Sequence, residues 1–215
     1  MLQSDFDPVQ HFADTYGRNQ LGLMANKTWI TDPKRLAFTL ARYKFVAKML
    51  DGYEHVLEVG CGDGWASRIV ADHVDFLTLM DCDPVLLGSV KRDEYHAVIL
   101  HDLLHSPPAE GKYDAAYLLD VLEHVKQEDE AIFLENLRAS LKPGGVAIVG
   151  MPSLESQVYA SPESRFGHVN CKSGSDLKAR LGDWFRHVFL FSMNDEVVHT
   201  GYSKMAHYLI ALCVR

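Results

Sequence analysis

Between residues 33 and 50 the hydrophobic positions keep a helical spacing: Leu36, Leu40, Ala47 and Leu50 fall on one side. Asp32-Pro33 suits the opening of a helix, and Asp51-Gly52 suits its stop. Beyond this segment the pattern changes to short apolar runs of strand length, at 54–59, 75–81, 97–101, 113–119 and 145–151. Helical stretches at 64–73, 84–91 and 127–141 separate them. Lys142-Pro143-Gly144-Gly145 reads as a helix end that turns into the strand Val146–Val149. Alternating β and α elements predict a parallel sheet with helices on both faces.

The flanks follow other rules. Residues 152–172 hold Pro152, Pro162 and Gly167 among polar residues and read as a long loop, which in a compact domain is often functional. A helix at 173–181 and two strands, 185–193 and 204–213, close the chain, and these strands can pair antiparallel. Residues 1–32 scatter Phe6, Phe12, Tyr16, Trp29 and Ile30 among polar residues. They are too apolar for a disordered tail and too irregular for a clear helix. The whole is expected to be one domain, 1–215, with 1–32 as an arm over the active site and 152–172 as a loop on the acceptor side.

Composition narrows the classes. A chain of 215 residues that is 47% hydrophobic can bury a full core. With 21 basic and 29 acidic residues its net charge is −8, which disfavours nucleic acid as a partner. No apolar run approaches the roughly 20 residues of a membrane span, and the N-terminus does not read as a signal peptide. Cys61, Cys82, Cys171 and Cys213 form no CxxC pair and suggest free thiols in the cytoplasm rather than a zinc site.

The densest chemical signal is Val56-Leu-Glu-Val-Gly-Cys-Gly-Asp-Gly64. Here a buried strand carrying Glu58 enters a turn in which Gly60, Gly62 and Gly64 remove every second Cβ, so that a ligand can lie on the main chain. A dinucleotide site would need glycine at position 65, where this chain has Trp65, and Glu58 would repel a pyrophosphate. A cationic, nucleoside-bearing ligand fits better. The other strands end on carboxylates: Asp81 before Cys82, Asp102 before Leu103, and Asp120. In open parallel sheets ligands sit at such ends. Asp81 can accept ribose hydroxyls and Asp102 the adenine amine, with Leu103 against the ring. Asp120 and the carbonyls around Leu118 and Leu119 can receive an ammonium group.

The stretches VLEVGCGDG, LMDCDP, HDLL, YDAAYLLDVLEHV and LKPGGVAIVGMPS, within residues 54–153, resemble the class I S-adenosylmethionine-dependent methyltransferases of small-molecule type. The resemblance implies a Rossmann-like α/β/α sandwich, with a seven-stranded, mostly parallel sheet and an antiparallel last strand. It implies S-adenosylmethionine as cofactor and S-adenosylhomocysteine as product. Glu58, Gly60 and Gly62 would border the methionine part, Asp81 the ribose, and Asp102 with Leu103 the adenine; Cys61, Cys82 and Asp120 would join this cofactor-binding set. Cys61 reads as a small space-filler rather than a nucleophile.

Acceptor chemistry is less defined. His124, Glu123 and His168 are candidate bases. Asp120, Glu123 and His124 are spaced i, i+3, i+4 and would share one helix face. With His168 they resemble the metal site of small-RNA 2′-O-methyltransferases and of polyprenyl-dihydroxybenzoate O-methyltransferases, which use two Glu plus His. Asp120 here replaces the first Glu, and Leu-Glu-His after strand four also occurs in metal-free members. Trp29, Tyr16, Phe12, Tyr159 and Tyr202 can line an acceptor pocket or simply pack. Lys34, Arg35, Arg42, Lys44 and Lys48 can meet an acidic acceptor or form a solvated face. The expected activity is methyl transfer to oxygen of a small-molecule acceptor, such as a sugar or other polar metabolite. Alternatives are metal-assisted methylation of a quinone precursor or an RNA 2′-hydroxyl, aminopropyl transfer, and a catalytically silent nucleoside-binding module. A homodimer is compatible with the chain.

Overall fold

The run His55–Val59 forms β1 and lies between two parallel neighbours, so both of its faces are buried. Its side chains alternate. Leu57 and Val59 join the core on one face of the sheet, while Val56 joins the core on the other. Glu58 shares the second face, where the helix α3 (Lys34–Met49) lies. The computed structural model describes residues 8–215, and Phe6 of the arm lies outside the described residues.

The remaining strands are β2 (Phe76–Asp81), β3 (Ala97–Leu100), β4 (Tyr113–Leu119), β5 (Leu141–Pro152), β6 (His187–Asn194), β7 (Val197–His199) and β8 (Tyr208–Val214). They form one sheet in the order β3-β2-β1-β4-β5-β8-β6-β7. The first five strands run parallel, and β8 enters antiparallel between β5 and β6. The expected pairing of the last two long strands holds. The sheet has eight strands rather than seven, because the polar stretch after β6 folds back as the short β7. Strand order reverses at β1, which opens a crevice above the carboxyl ends of β1 and β4.

Several helices are shorter than the sequence suggests. The stretch 64–73 keeps only α4 (Arg68–Ala71), and 84–91 keeps only α5 (Pro84–Leu87). Gly64, at φ +68°, and the i→i+3 bonds of Ser67, Ile69 and Val70 hold the intervening chain in tight turns. The later helices α6 (Glu130–Ser140) and α8 (Gly174–Gly182) match their segments. β5 starts earlier than expected. Leu141 already pairs with Tyr113, and a register shift between Tyr113 and Ala115 absorbs the Pro-Gly-Gly irregularity.

Both flanks are more ordered than their composition implies. The arm forms two helices, α1 (Pro8–Tyr16) and α2 (Leu23–Thr31). α1 buries no residue; Val9, Phe12 and Tyr16 keep a helical spacing along it, and all three are exposed. α2 has no side-chain cap of its own, and the carboxylate of Asp63 accepts from Ala25 N at 2.9 Å instead. The 152–172 loop contains a 3-10 turn, Glu155–Tyr159, and α7 (Pro162–Gly167), capped by Ser161. No helix among the described residues is long and apolar enough to cross a membrane.

Candidate active site

The turn after β1 packs against its neighbours through missing side chains. Gly60, Gly62 and Gly64 have φ of +74°, +58° and +68°. A Cβ on Gly60 would lie 2.3 Å from Val121 Cγ2, and one on Gly62 would lie 2.7 Å from Met24 Sδ. The segment after β4 and the helix α2 therefore both touch the turn. Gly62 N donates to Asp81 Oδ2 at 2.8 Å, and Asp83 N donates to Asp81 Oδ1 at 2.9 Å. Asp81 is thus aimed at the turn and fixed from two sides. Cys61 is buried and burial pushes its thiol far up, as suits a space-filler. Cys82 is exposed beyond β2. Asp102 accepts from Leu104 N at 2.9 Å, while Leu103 is buried in the core and its carbonyl accepts from Asn136.

Glu58 is enclosed. Tyr43 of α3 and Tyr117 of β4 donate to its two oxygens at 2.8 and 2.5 Å. Burial raises its pKa to about 7, against the pull of those hydroxyls. A cation nearby would draw the proton off. Turn, carboxylates and the acidic group beneath them form a cradle suited to a cationic nucleoside.

The acceptor end departs from a helical picture. Asp120 has φ +57°, so it ends β4 in a left-handed bend and lies outside the following 3-10 turn, Leu122–His124. Its Oδ2 accepts from Arg42 Nη1 at 2.7 Å. Arg42 is buried with its guanidinium 3.6 Å over the Tyr208 ring, so it does not belong to a solvated face of α3. Burial opposes the Arg42 charge, but Asp120 outweighs it.

Beyond that bend Glu123, His124 and His168 converge, each offering a ligand atom within 4.8 Å of the others. Asp120, the expected fourth member, is turned to Arg42. The Glu123 side chain is fully buried, and neither carboxylate oxygen has a hydrogen-bond partner. Burial, then Asp120, raise its pKa well above the usual range. His124 Nδ1 lies 2.9 Å from Gly167 O, and His168 Nδ1 lies 2.9 Å from Gln157 Oε1. The two rings sit edge to face at 5.2 Å. Burial, then His124, lower the His168 pKa, so this ring is neutral at pH 7. Tyr159, Phe166, Tyr202, Trp29, Tyr16 and Phe12 are exposed rather than packed.

An orphaned buried carboxylate beside two imidazoles fits a divalent cation, since such oxygens otherwise cost free energy. Sequence reasoning missed Tyr43, Tyr117, Met24 and Asp63. It placed Arg42 on a basic helix without its partner. No local signal marks any of them, because each gains its role from a residue distant in the chain.

The sheet order and the glycine turn at the carboxyl end of β1 define a Rossmann-like α/β fold. The sequence profile of the family described as "Methyltransferase domain" matches residues 29–187, and the chain belongs to that family. It is a class I methyltransferase that uses S-adenosylmethionine. A ubiquinone biosynthesis O-methyltransferase of Marinobacter nauticus is 26% identical over 79% of this chain and 70% of its own length. Other curated relatives are spanned over 38% to 56% of their length. Among solved structures, the N-methyltransferase NodS from Bradyrhizobium japonicum, in complex with S-adenosylhomocysteine, has a TM-score of 0.61 at 19% identity, covering 87% of this chain and 90% of that one. A methyltransferase from Thermotoga maritima has a TM-score of 0.70 at 15% identity, covering 95% and 98%. These two share the fold.

Proposed function

We propose that the protein transfers the methyl group of S-adenosylmethionine to a hydroxyl oxygen of a small molecule bound beside Glu123, His124 and His168. The observation that carries this reading is the convergence of those three side chains next to Val121, which itself abuts the glycine turn. When bound, the cofactor supplies an electrophilic methyl on a sulfonium. The chain supplies the rest. Asp81 orients the ribose, and ionised Glu58 balances the positive charge. His168, neutral at pH 7, takes the hydroxyl proton on its free ring nitrogen. Its other nitrogen is held by Gln157.

A divalent cation would be an alternative to that base: Glu123, His124 and the same free nitrogen of His168 would hold it, and it would make the acceptor hydroxyl acidic enough to lose its proton without the imidazole. The exposed Tyr159, Phe166 and Val169 in the segment that carries His168 support an acceptor with an aromatic or apolar portion, more than the polar sugar suggested by the sequence. The name of the Marinobacter relative agrees with such an acceptor. The unpaired cysteines support action in a reducing compartment such as the cytoplasm.

Labelled S-adenosylmethionine offered with a panel of phenols and sugars tests the transfer. Turnover that is lost on chelation and restored by Mg²⁺ or Mn²⁺ selects the cation and makes His168 a ligand. Full turnover in the chelated protein removes the cation and leaves the base. His168→Ala should lower kcat by roughly 10²–10⁴-fold with cofactor affinity unchanged. Wild-type turnover in that variant rules the base out. In the intact protein the acid limb of kcat should lie below the ordinary histidine value of 6.5, because the neutral ring is the active form.

A further inference from the structure

The cluster is held by a loop that is itself anchored elsewhere. Val169 N and Asn170 N both donate to the carbonyl of Glu123, at 2.9 and 3.0 Å. Asn170 is buried, and its Nδ2 donates to Glu130 Oε2 at 2.5 Å while its Oδ1 accepts from Lys172 Nζ at 2.8 Å. Glu130, the first residue of α6, also pairs with Lys172 at 2.7 Å and with Arg180 of α8 at 2.5 Å. The Glu130 carboxyl is only 2% exposed. Burial works against its charge, yet Lys172, Arg180 and Asn170 hold its pKa below the usual range.

We propose that Asn170 is a positioning residue of the active site. It ties the main chain of Glu123, and the adjacent His168, to the buried ion cluster of Glu130, Lys172 and Arg180. Three observations converge on this one side chain. Asn170 is two residues after His168 and bonds to Glu123 through its own backbone, so it connects both halves of the cluster. Its amide joins two members of the ion cluster with opposite polarity, its nitrogen donating to Glu130 and its oxygen accepting from Lys172. The carbonyl of Lys172 accepts from Leu154 N, and Ser153 bridges Lys172, so the anchor extends to the end of β5. Side chains that orient a reactive cluster from behind typically change metal affinity or activity by about 10–100-fold when removed. Asn170 is expected to fall in that range although it touches no ligand.

This rests on the reading of Glu123, His124 and His168 as the acceptor-side cluster, and the test separates the two. In the full chain, Mn²⁺ and S-adenosylhomocysteine affinities are measured by calorimetry, and the His168 ring signals by NMR. Asn170→Ala and Asn170→Asp should each weaken Mn²⁺ by about 10–100-fold, with S-adenosylhomocysteine affinity within about twofold of wild type. Asn170→Asp places a second carboxylate against Glu130. Adding Glu130→Gln reverses the polarity of that hydrogen bond and keeps the charge sum, so the double variant should recover most of the loss. A purely structural residue would lower both affinities together and show no such recovery. Unchanged Mn²⁺ affinity in Asn170→Ala, with Glu123→Ala abolishing it, overturns the proposal and leaves the cation reading intact. Wild-type Mn²⁺ affinity in Glu123→Ala overturns the cation reading; the His168 ring then decides, since signals unmoved in Asn170→Ala overturn the positioning role and displaced signals uphold it. If Asn170→Ala fails to fold, the double variant against Asn170→Asp alone carries the same comparison.

Discussion

At the glycine turn the buried acids are already partnered: Glu58 by two tyrosines, Asp63 by the start of α2, and Asp81 by two backbone N–H groups. At the neighbouring segment 120–124 the opposite holds, since Glu123 is more deeply buried than any of these and neither of its oxygens has a partner. In the proposed reading the turn is the cofactor end, and its acids are partnered in advance, so binding there would cost little reorganisation. The segment 120–124, the proposed acceptor end, carries an unsatisfied group of the kind that costs about 1–3 kcal/mol. It waits for a proton or a cation. Asp120 lies at the seam, with its backbone strained and its carboxylate given to Arg42.

The contrast can be broken most forcefully at Gly60. Its φ of +74° and the Val121 methyl 2.3 Å from a would-be Cβ leave no room for alanine. Gly60→Ala should destabilise the fold by about 2 kcal/mol or more, from backbone strain of about 1–2 kcal/mol plus the clash, and weaken S-adenosylmethionine at least tenfold. Gly52→Ala is the control. It has the same backbone sign, φ +80°, but no atom within 4 Å of its would-be Cβ, so cofactor affinity should hold. Calorimetric titration of both variants decides it, and normal binding by Gly60→Ala would show that the turn is not the cradle.

A smaller effect follows from Glu58. Its folded pKa of about 7 lies above the ordinary 4.5, so in the ligand-free protein its contribution to stability is fully present below pH 4.5 and is lost as pH rises through about 7. The ionised form is the one that attracts a cationic cofactor. S-adenosylmethionine should therefore bind up to about tenfold more tightly at pH 8 than at pH 6. Glu58→Gln should flatten that dependence, and an unchanged slope in the variant would assign it to another group.

The least effect is expected at Lys27, whose ion pair with Glu163 joins α2 to α7 at 2.7 Å across an exposed surface. Lys27→Ala should leave the melting temperature within error, as exposed pairs usually do. A marked fall would mean that the arm is held by charge rather than by Asp63 and Met24.

Strand positions and the carboxylates at strand ends were legible in the sequence because they depend on neighbours in the chain. Short apolar runs buried on both faces mark β1 and β2, and Asp81 ends the second of them. The arm reads as too irregular for a helix although Val9, Phe12 and Tyr16 keep a helical spacing in α1, and α2 is hidden because it borrows its cap from Asp63. The spacing of Asp120, Glu123 and His124 suggested a helix, but the left-handed bend at Asp120 separates it from the other two.

The sequence by itself determined the parallel sheet, the glycine turn and the order of acids above it. These follow from side-chain periodicity and from glycine's freedom at positive φ, both local properties of the chain. Only the tertiary structure decided which acids are satisfied. Tyr43 and Tyr117 reach Glu58 from different elements, Arg42 takes Asp120 from the metal-like set, and His168 joins Glu123 through a loop anchored at Glu130. Hydrogen bonds and ion pairs between distant residues depend on where folding brings them, and no spacing in the chain records that distance.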